Sequence, residues 1–394
     1  MKLWEKGYSL NKEIEEFTVG NDYILDSKLV RYDCIASIAH AKMLNKIGIL
    51  DNAELEKISA ALNEIIKLDS VGKFIISKED EDCHTAIEKY LTKKIGKAGK
   101  KIHMARSRND QVATALRLYY KDSLNEISEL ANKFSSSLFL LKDRYRGVEI
   151  PGYTHMRKAM PSSIGMWADA FIESMSDNKR AISSAIELLD QSPLGTGAGY
   201  GLPMKVDRRL TAKLLKFSRV QKSPIYVQNS RGKFEFVILN AIAMIMFDLN
   251  KMASDIILFS MPEFGYFEIP REFCTGSSIM PHKMNPDVLE LMRARYHQIA
   301  AAQAGVMGIA SNLISGYNRD MQLTKGYVMD GIEAAKSSLK IASLIIKGLK
   351  VDRERCKEAM TKELYSVKDA YELAKKGVAF RDAYSKVAGE YSNG

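Results

Sequence analysis

With 394 residues, 46% of them apolar, the chain has material for one large domain or two to three ordinary ones, and its composition excludes a disordered protein. Its 58 Lys and Arg outnumber 48 Asp and Glu, and the formal charge of +10 suits a small polyanionic substrate or a nucleic acid. The four cysteines (Cys34, Cys83, Cys274 and Cys356) are widely spaced with no C-x-x-C pair, as expected of reduced, mostly buried thiols in a cytoplasmic protein.

The N-terminal stretch MKLWEKGYSLNKEIEEF has neither an apolar core segment nor a small-residue cleavage site, so no signal peptide is expected. The first hundred residues break often and predict short helices. The densest basic run, KKIGKAGKK (Lys93 to Lys101), has no aromatic residue to stack on a base and reads as a solvated loop, which argues against a nucleic-acid partner. Four long helices are then predicted. The first covers 109–145, free of Gly and Pro; the second runs from Pro161 to Asp190 with proline in its first turn. The third lies between Gly232 and Pro262, and the fourth starts at Pro286, capped by Asn285, and reaches toward Gly316. Within the third, the run Phe234 to Phe247 is the most apolar, but it is short for a bilayer and broken by Glu235 and Asn240, so no membrane partner is expected.

Helices of roughly thirty residues extend about 45 Å and must pack side by side. The third and fourth are apolar on nearly every face, which predicts an oligomer whose helices share a core. No strand alternation stands out. The expected fold is all-α: an N-terminal helical cap (1–108), a central long-helix bundle (109–350) and a short C-terminal helical cap (351–394).

Polar clusters interrupt this apolar frame. EDCHTAIE holds Asp82 and His84; ARSRNDQ holds Ser107, Arg108 and Asn109; PGYTHMRKAMP holds Thr154 and His155. TGSSIMPHKMNP holds Ser277, Lys283 and Asn285, and YNRDMQLTK follows further on. In TGSSIMPHKMNP, Gly276 and the serines bend freely while Pro281 and Pro286 stiffen the far side, the composition of a mobile loop anchored on a helix. Lys283 just ahead of a helix N-terminus would make a site for a carboxylate or oxyanion; the alternative is a loop with a capping Asn and a solvated Lys. His84 beside Asp82 and Cys83 lacks the spacing of a metal site, and no metal is expected.

The run Gly276 to Pro286 resembles the signature loop of the fumarase/aspartase superfamily, whose members eliminate across the Cα–Cβ bond of a succinyl group. ARSRNDQVAT (Ala105 to Thr114), DCHTAIEKYL, PGYTH, SPLG (Ser192 to Gly195) and YNRDMQ (Tyr317 to Gln322) are similar to the argininosuccinate lyase family, collinearly from about residue 20 to residue 385. The resemblance implies an anti β-elimination of argininosuccinate to arginine and fumarate in arginine biosynthesis, without a cofactor. It also implies a homotetramer whose active sites each draw residues from three subunits.

A hydrogen beside a carboxylate is a weak acid, so cationic and N–H groups must meet the dianion formed on its removal. The resemblance assigns the general base to Ser277, aided by Lys283, and the acid side to His155 with Glu290 behind it. It places Ser107, Arg108, Asn109, Thr154 and Arg231 around the succinyl part, and Asp82, Tyr317, Gln322 and Lys325 around the arginine part; Asn285 joins the binding set from the loop. For Arg231 and Lys325 a plain surface role stays open.

Several positions depart from the family. Arg157 and Met160 stand where glutamines are usual, His282 replaces a loop glutamine, and Gly232 takes the place of an acidic residue. A substrate-contacting serine of the N-terminal arm is replaced by Tyr23 or displaced to Ser27, and the end at Gly394 implies an abbreviated C-terminal cap. Adenylosuccinate lyase and a non-catalytic, crystallin-like homologue remain as rival readings.

Overall fold

The computed structural model describes residues 11–392; the leader reading of the N-terminus falls largely on residues 1–10, outside the described residues. After two short helical segments, Lys12–Val19 and Asp22–Leu25, the chain forms α1 (Val30–Lys46), α2 (Asn52–Ser70) and α3 (Cys83–Ile95). Long helices follow: α4 (Arg108–Arg144), α5 (Ile164–Leu189), α6 (Lys233–Phe259), α7 (Asp287–Ala310) and α8 (Thr324–Gly348). Helices α9 (Ser366–Lys375) and α10 (Phe380–Ser392) come last. The all-α class holds, with strands reduced to short pairs.

The sequence reading needs four corrections. Between α4 and α5 the chain forms an antiparallel hairpin of β1 (Glu149–Thr154) and β2 (Arg157–Ser163). Pro161 therefore sits in β2, opposite Pro151, and not in a helix's first turn. Each strand of a two-stranded ribbon has a free edge, where a residue lacking its N–H is tolerated. Second, α8 is a fifth long helix that the sequence reading did not single out. Third, Lys93 to Lys101 is no loop: it ends α3 and then forms a short helix, Lys97–Lys101. Its lysines pair with α2, Lys94 with Glu64 and Lys101 with Glu54 at 2.5 Å. Finally, α6 has 27 residues and is long and apolar enough by composition to cross a bilayer. Its buried Ile238, Leu239, Ile242, Ile245, Met246 and Leu249 make it a core helix.

The chain divides into two compact units. Unit one comprises Met1–Glu126, Ala181–Ile242 and Ala300–Glu333. Here α2 starts on a reciprocal cap: Asp51 Oδ1 accepts the Glu54 N–H at 2.8 Å while Glu54 accepts the Asp51 N–H at 3.2 Å. Its Ile58, Ala61, Leu62 and Ile65, at helical spacing, are buried; each large side chain contributes about 1.5–3 kcal/mol. A second cluster joins Ala36 and Ala39 of α1 to Leu194, Ala212, Leu215 and Phe217. Helix α1 also buries a polar stripe, Asp33, Ser37 and His40, one helical turn apart.

Unit two comprises Ile127–Arg180, Ala243–Ile299 and Ala334–Gly394. Its core is aromatic. Trp167 packs edge-on to Phe171 and tilts on Phe267, ring centroids 5.2 Å apart in both cases, and donates its indole N–H to Asp255 at 3.0 Å. Tyr153 ties the hairpin to this core through a 2.8 Å hydrogen bond between its hydroxyl and that of Tyr266. Lys158 of β2 donates to the Ala359 carbonyl at 2.7 Å, so the hairpin is held from both strands.

Candidate active site

Unit one holds a cavity of about 450 Å³, and seven of the sequence-predicted residues line it: Asp82, Arg108, Asn109, Arg231, Tyr317, Gln322 and Lys325. Asp82 caps α3, its Oδ1 accepting both the N–H and the hydroxyl of Thr85 at 2.8 Å. Its Oδ2 takes Nη1 of Arg108 at 3.2 Å, and Nη2 of Arg108 donates to the Thr85 hydroxyl at 2.8 Å. These two predicted residues thus fix each other where α3 and α4 begin.

Ser107 is not among the lining residues; it precedes the first turn of α4 and accepts the Asn109 N–H at 3.3 Å. Asp110 completes this start. Its Oδ1 accepts the Ser107 N–H at 3.0 Å, and its Oδ2 accepts the N–H groups of Gly195 and Gly197, both at 2.9 Å. Burial pushes the Asp110 carboxyl up to about 6, against the pull of those donors and of Arg106.

Arg231 is 8% exposed, and its Nε and Nη1 have no hydrogen-bond partner. Its guanidinium lies over the Tyr317 ring, 5.2 Å from the centroid. Behind it the Gly232 N–H donates to Glu235 at 2.7 Å, and burial pushes that carboxyl up despite Arg231 and Arg117. A desolvated guanidinium with idle donors is a receptor for a carboxylate.

Lys325 is 2% exposed, which removes the surface reading for it. Its ammonium sits 2.5 Å from Asp22 and 2.6 Å from Asp26. Burial disfavours its charge, but the two carboxylates outweigh that and raise its pKa. Gln322 is spent on structure: it donates to the Thr18 carbonyl at 3.0 Å and accepts from Arg319 at 3.1 Å.

Several wall residues escaped the sequence reading, Asp22 and Asp26 among them. These two line the cavity, whereas Tyr23 and Ser27, the positions expected to replace the arm serine, do not. His84, considered there only as a metal ligand, lines it too. Its Nδ1 meets Asp33 at 3.0 Å, Asp33 is also held by Gln111 at 2.8 and 2.9 Å, and Nε2 has no partner. Burial opposes charging of this imidazole, but Asp33, Asp82 and Asp26 lift its pKa to about 8. Nothing local in DCHTAIE reveals a carboxylate that lies 51 residues earlier in the chain.

Asp26, Cys83 and His84 bring donor atoms within 4.8 Å of one another. That set suits a cation poorly. Lys325 already neutralises Asp26, and burial pushes the Cys83 thiol well above its usual range, away from the thiolate a metal needs.

The remaining predicted residues belong to unit two. Thr154 ends β1, and His155 with Met156 forms the two-residue hairpin turn at φ 51° and 58°. Both central residues left-handed defines a type I′ turn, normally the place of Asn-Gly. His155 is thereby exposed at a strained tip. Ser277 opens a loop pinched by two short strands, with Thr275 opposite Asn285 and Gly276 opposite Met284. Its hydroxyl accepts the N–H of Met280 at 3.0 Å and of Ile279 at 3.4 Å. Asn285 does not cap α7 as expected: it lies in a strand, and Pro286 immediately precedes the helix. Thr275 instead hydrogen-bonds to Asp287 in the first turn. Lys283, Asn285 and Glu290 line an open concavity of about 830 Å³, beside Arg271 and Arg355. Among the described residues, no hydrogen bond joins His155 to Glu290 within the chain.

Long helices, a signature loop and a charged cavity define the chain as a helical-bundle lyase of the fumarase/aspartase type. Residues 10–301 match the family described as lyase. Fumarate lyase/delta crystallin from Brucella melitensis bound to cobalt shares the fold at a TM-score of 0.81 and 17% identity, over 98% of this chain and 87% of that one. Class II fumarase from Schistosoma mansoni does so at 0.78 and 16%, over 98% and 92%. The chain is 52% identical over 390 residues to argininosuccinate lyase of Thermotoga neapolitana, covering 99% of this chain and 98% of the relative. It is 42% identical to that of Sorangium cellulosum, over 99% and 90%. The chain belongs to the argininosuccinate lyase family.

Proposed function

We propose that the protein cleaves argininosuccinate to L-arginine and fumarate by anti β-elimination, as a carbon–nitrogen lyase serving arginine biosynthesis. The observation that carries this reading is the cavity of unit one. It sets the idle guanidinium of Arg231 on the same wall as the carboxylates of Asp22 and Asp82, a receptor for a molecule bearing both carboxylates and cations.

The chemistry is assigned to the unit-two residues. Ser277 removes the carbon-bound proton, and Lys283 favours its alkoxide and holds the succinyl carboxylate. His155, backed by Glu290, manages the proton balance at the departing guanidine nitrogen. In the described conformation the Ser277 hydroxyl is engaged by Met280 and Ile279. The reaction therefore requires the loop to refold over substrate and free that oxygen.

The active assembly is a homotetramer, with each site drawing on three subunits. Large apolar side chains left exposed on α6, Met244 at 49% and Phe247 at 46%, support helices that share a core with other copies. Four free cysteines support a cytoplasmic location. Fumarate absorbance is the test: the wild type should release fumarate from argininosuccinate and not from adenylosuccinate, and Ser277→Ala should lose at least a hundredfold in kcat. Equal activity of Ser277→Ala would remove the base assignment, and an inactive wild-type tetramer would support the crystallin-like alternative.

A further inference from the structure

We propose that Asn229 is a positioning residue of this site: through two hydrogen bonds to the loop after α7, it holds the Tyr317 ring against the guanidinium of Arg231. This deepens the proposed lyase function and rests on it for the identity of the substrate.

Asn229 ends a short helix, Pro224–Asn229, two residues before Arg231. Its Nδ2 donates to the Ser315 hydroxyl at 3.0 Å, and its Oδ1 accepts the Gly316 N–H at 2.9 Å. The amide thus spends a donor and an acceptor on the two residues immediately before Tyr317. The Tyr317 ring in turn lies 5.2 Å from the Arg231 guanidinium, and both line the 450 Å³ cavity. One side chain therefore ties the segment carrying the cation to the loop carrying the ring.

Apolar packing does little to hold this loop. Between Ala310, the end of α7, and the 3-10 turn that starts at Arg319, none of residues 311–318 is buried, and Ile314 is 81% exposed. A second cavity of about 230 Å³, lined by Asn229 and Arg231 on one side and Ser315 and Gly316 on the other, separates the loop from the segment beneath it. The loop's course thus depends on hydrogen bonds more than on close packing. Besides the Asn229 pair, the Tyr200 hydroxyl donates to the Ser315 carbonyl at a longer 3.3 Å. Gly316 holds φ +107°, and a Cβ there would lie 2.8 Å from that hydroxyl, so the course requires glycine. A displacement of Tyr317 by about 1 Å would loosen its grip on substrate and transition state alike, which raises KM and spares kcat.

Steady-state fumarate release by the full chain, paired with calorimetric titration of L-arginine, tests the inference. Asn229→Ala should raise KM for argininosuccinate and Kd for arginine at least tenfold, with kcat within threefold of the wild type. Asn229→Asp keeps acceptors for the Gly316 N–H and the Ser315 hydroxyl and should bring both constants back within threefold. In a Tyr317→Ala background, Asn229→Ala should add less than twofold, because the residue acts through that ring. KM and Kd within threefold in Asn229→Ala overturn the proposal, as does a tenfold loss that persists in Tyr317→Ala or is not rescued by Asn229→Asp. Should Asn229→Ala fail to fold, Ser315→Ala removes one of the two bonds and decides: a rise in Kd of at least threefold supports the clamp, and a smaller one overturns it. Cleavage with KM and Kd unchanged in Asn229→Ala removes the positioning role only. Arginine binding that falls as stated, in a wild type unable to cleave argininosuccinate, removes the lyase assignment only.

Discussion

Nδ1 of His84 lies 3.0 Å from Oδ2 of Asp33, and both side chains are sealed from solvent. The pair is an ion pair at neutral pH because burial, which disfavours the imidazolium, is outweighed by Asp33, and the pKa rises from 6.5 to about 8. The folded-state value lies above the unfolded one. Its stabilisation is therefore fully present below pH 6.5 and lost as pH rises through 8, amounting to about 2 kcal/mol. Urea unfolding at pH 6 and pH 9 should show a drop in the wild type that His84→Gln lacks. Equal pH dependence in both proteins would mean that His84 is neutral in the fold.

Asp110 acts in another pH window. Its folded pKa of about 6 exceeds the usual 3.8, so its contribution is present below pH 3.8 and lost as pH rises through 6. Across that range the wild type should lose about 3 kcal/mol relative to Asp110→Asn, whose side chain does not titrate. Asp110→Ala should be less stable at every pH, because the N–H groups of Ser107, Gly195 and Gly197 lose their acceptor. Parallel denaturation curves for wild type and Asp110→Asn from pH 4 to 7 would refute the assignment.

What the sequence disclosed divides along a physical line. Helices α4, α6 and α7 were legible because Gly and Pro bracket long apolar periodicity. Helix α8 was hidden because Gly326 and Gly331 interrupt its first half. The hairpin escaped because its turn is His155-Met156, not a glycine pair, and because prolines occupy both strands. Site residues inside quoted motifs were legible through family resemblance. Asp22 and His84 were not, since their roles arise from pairings across the chain: Lys325 stands about 300 residues from the carboxylates it joins.

Gly232 shows why one departure from the family pattern is obligatory here. Its φ is +79°, and a Cβ built on it would lie 2.5 Å from the Cβ of Ala310. An acidic side chain has no room there, and Glu235 already accepts the Gly232 N–H at 2.7 Å. Gly232→Ala should cost about 3 kcal/mol, combining left-handed backbone strain with overpacking. A loss below 1 kcal/mol in urea titration would show that the segment yields freely.

The hairpin tip separates stability from activity most sharply. His155 and Met156 both hold positive φ, at 51° and 58°, which costs non-glycine residues of order 1 kcal/mol each. Glycine at either position relieves that strain, so Met156→Gly and His155→Gly should each stabilise the fold by about 1 kcal/mol. Their catalytic effects should diverge. Met156→Gly keeps the imidazole and should retain kcat within a few-fold, whereas His155→Gly removes the proposed proton donor and should lose at least a hundredfold. Thermal melting and fumarate release measured on the same two variants decide the matter. Should His155→Gly be stabilised and remain active, the strain at this tip has some purpose other than presenting an imidazole to the leaving nitrogen.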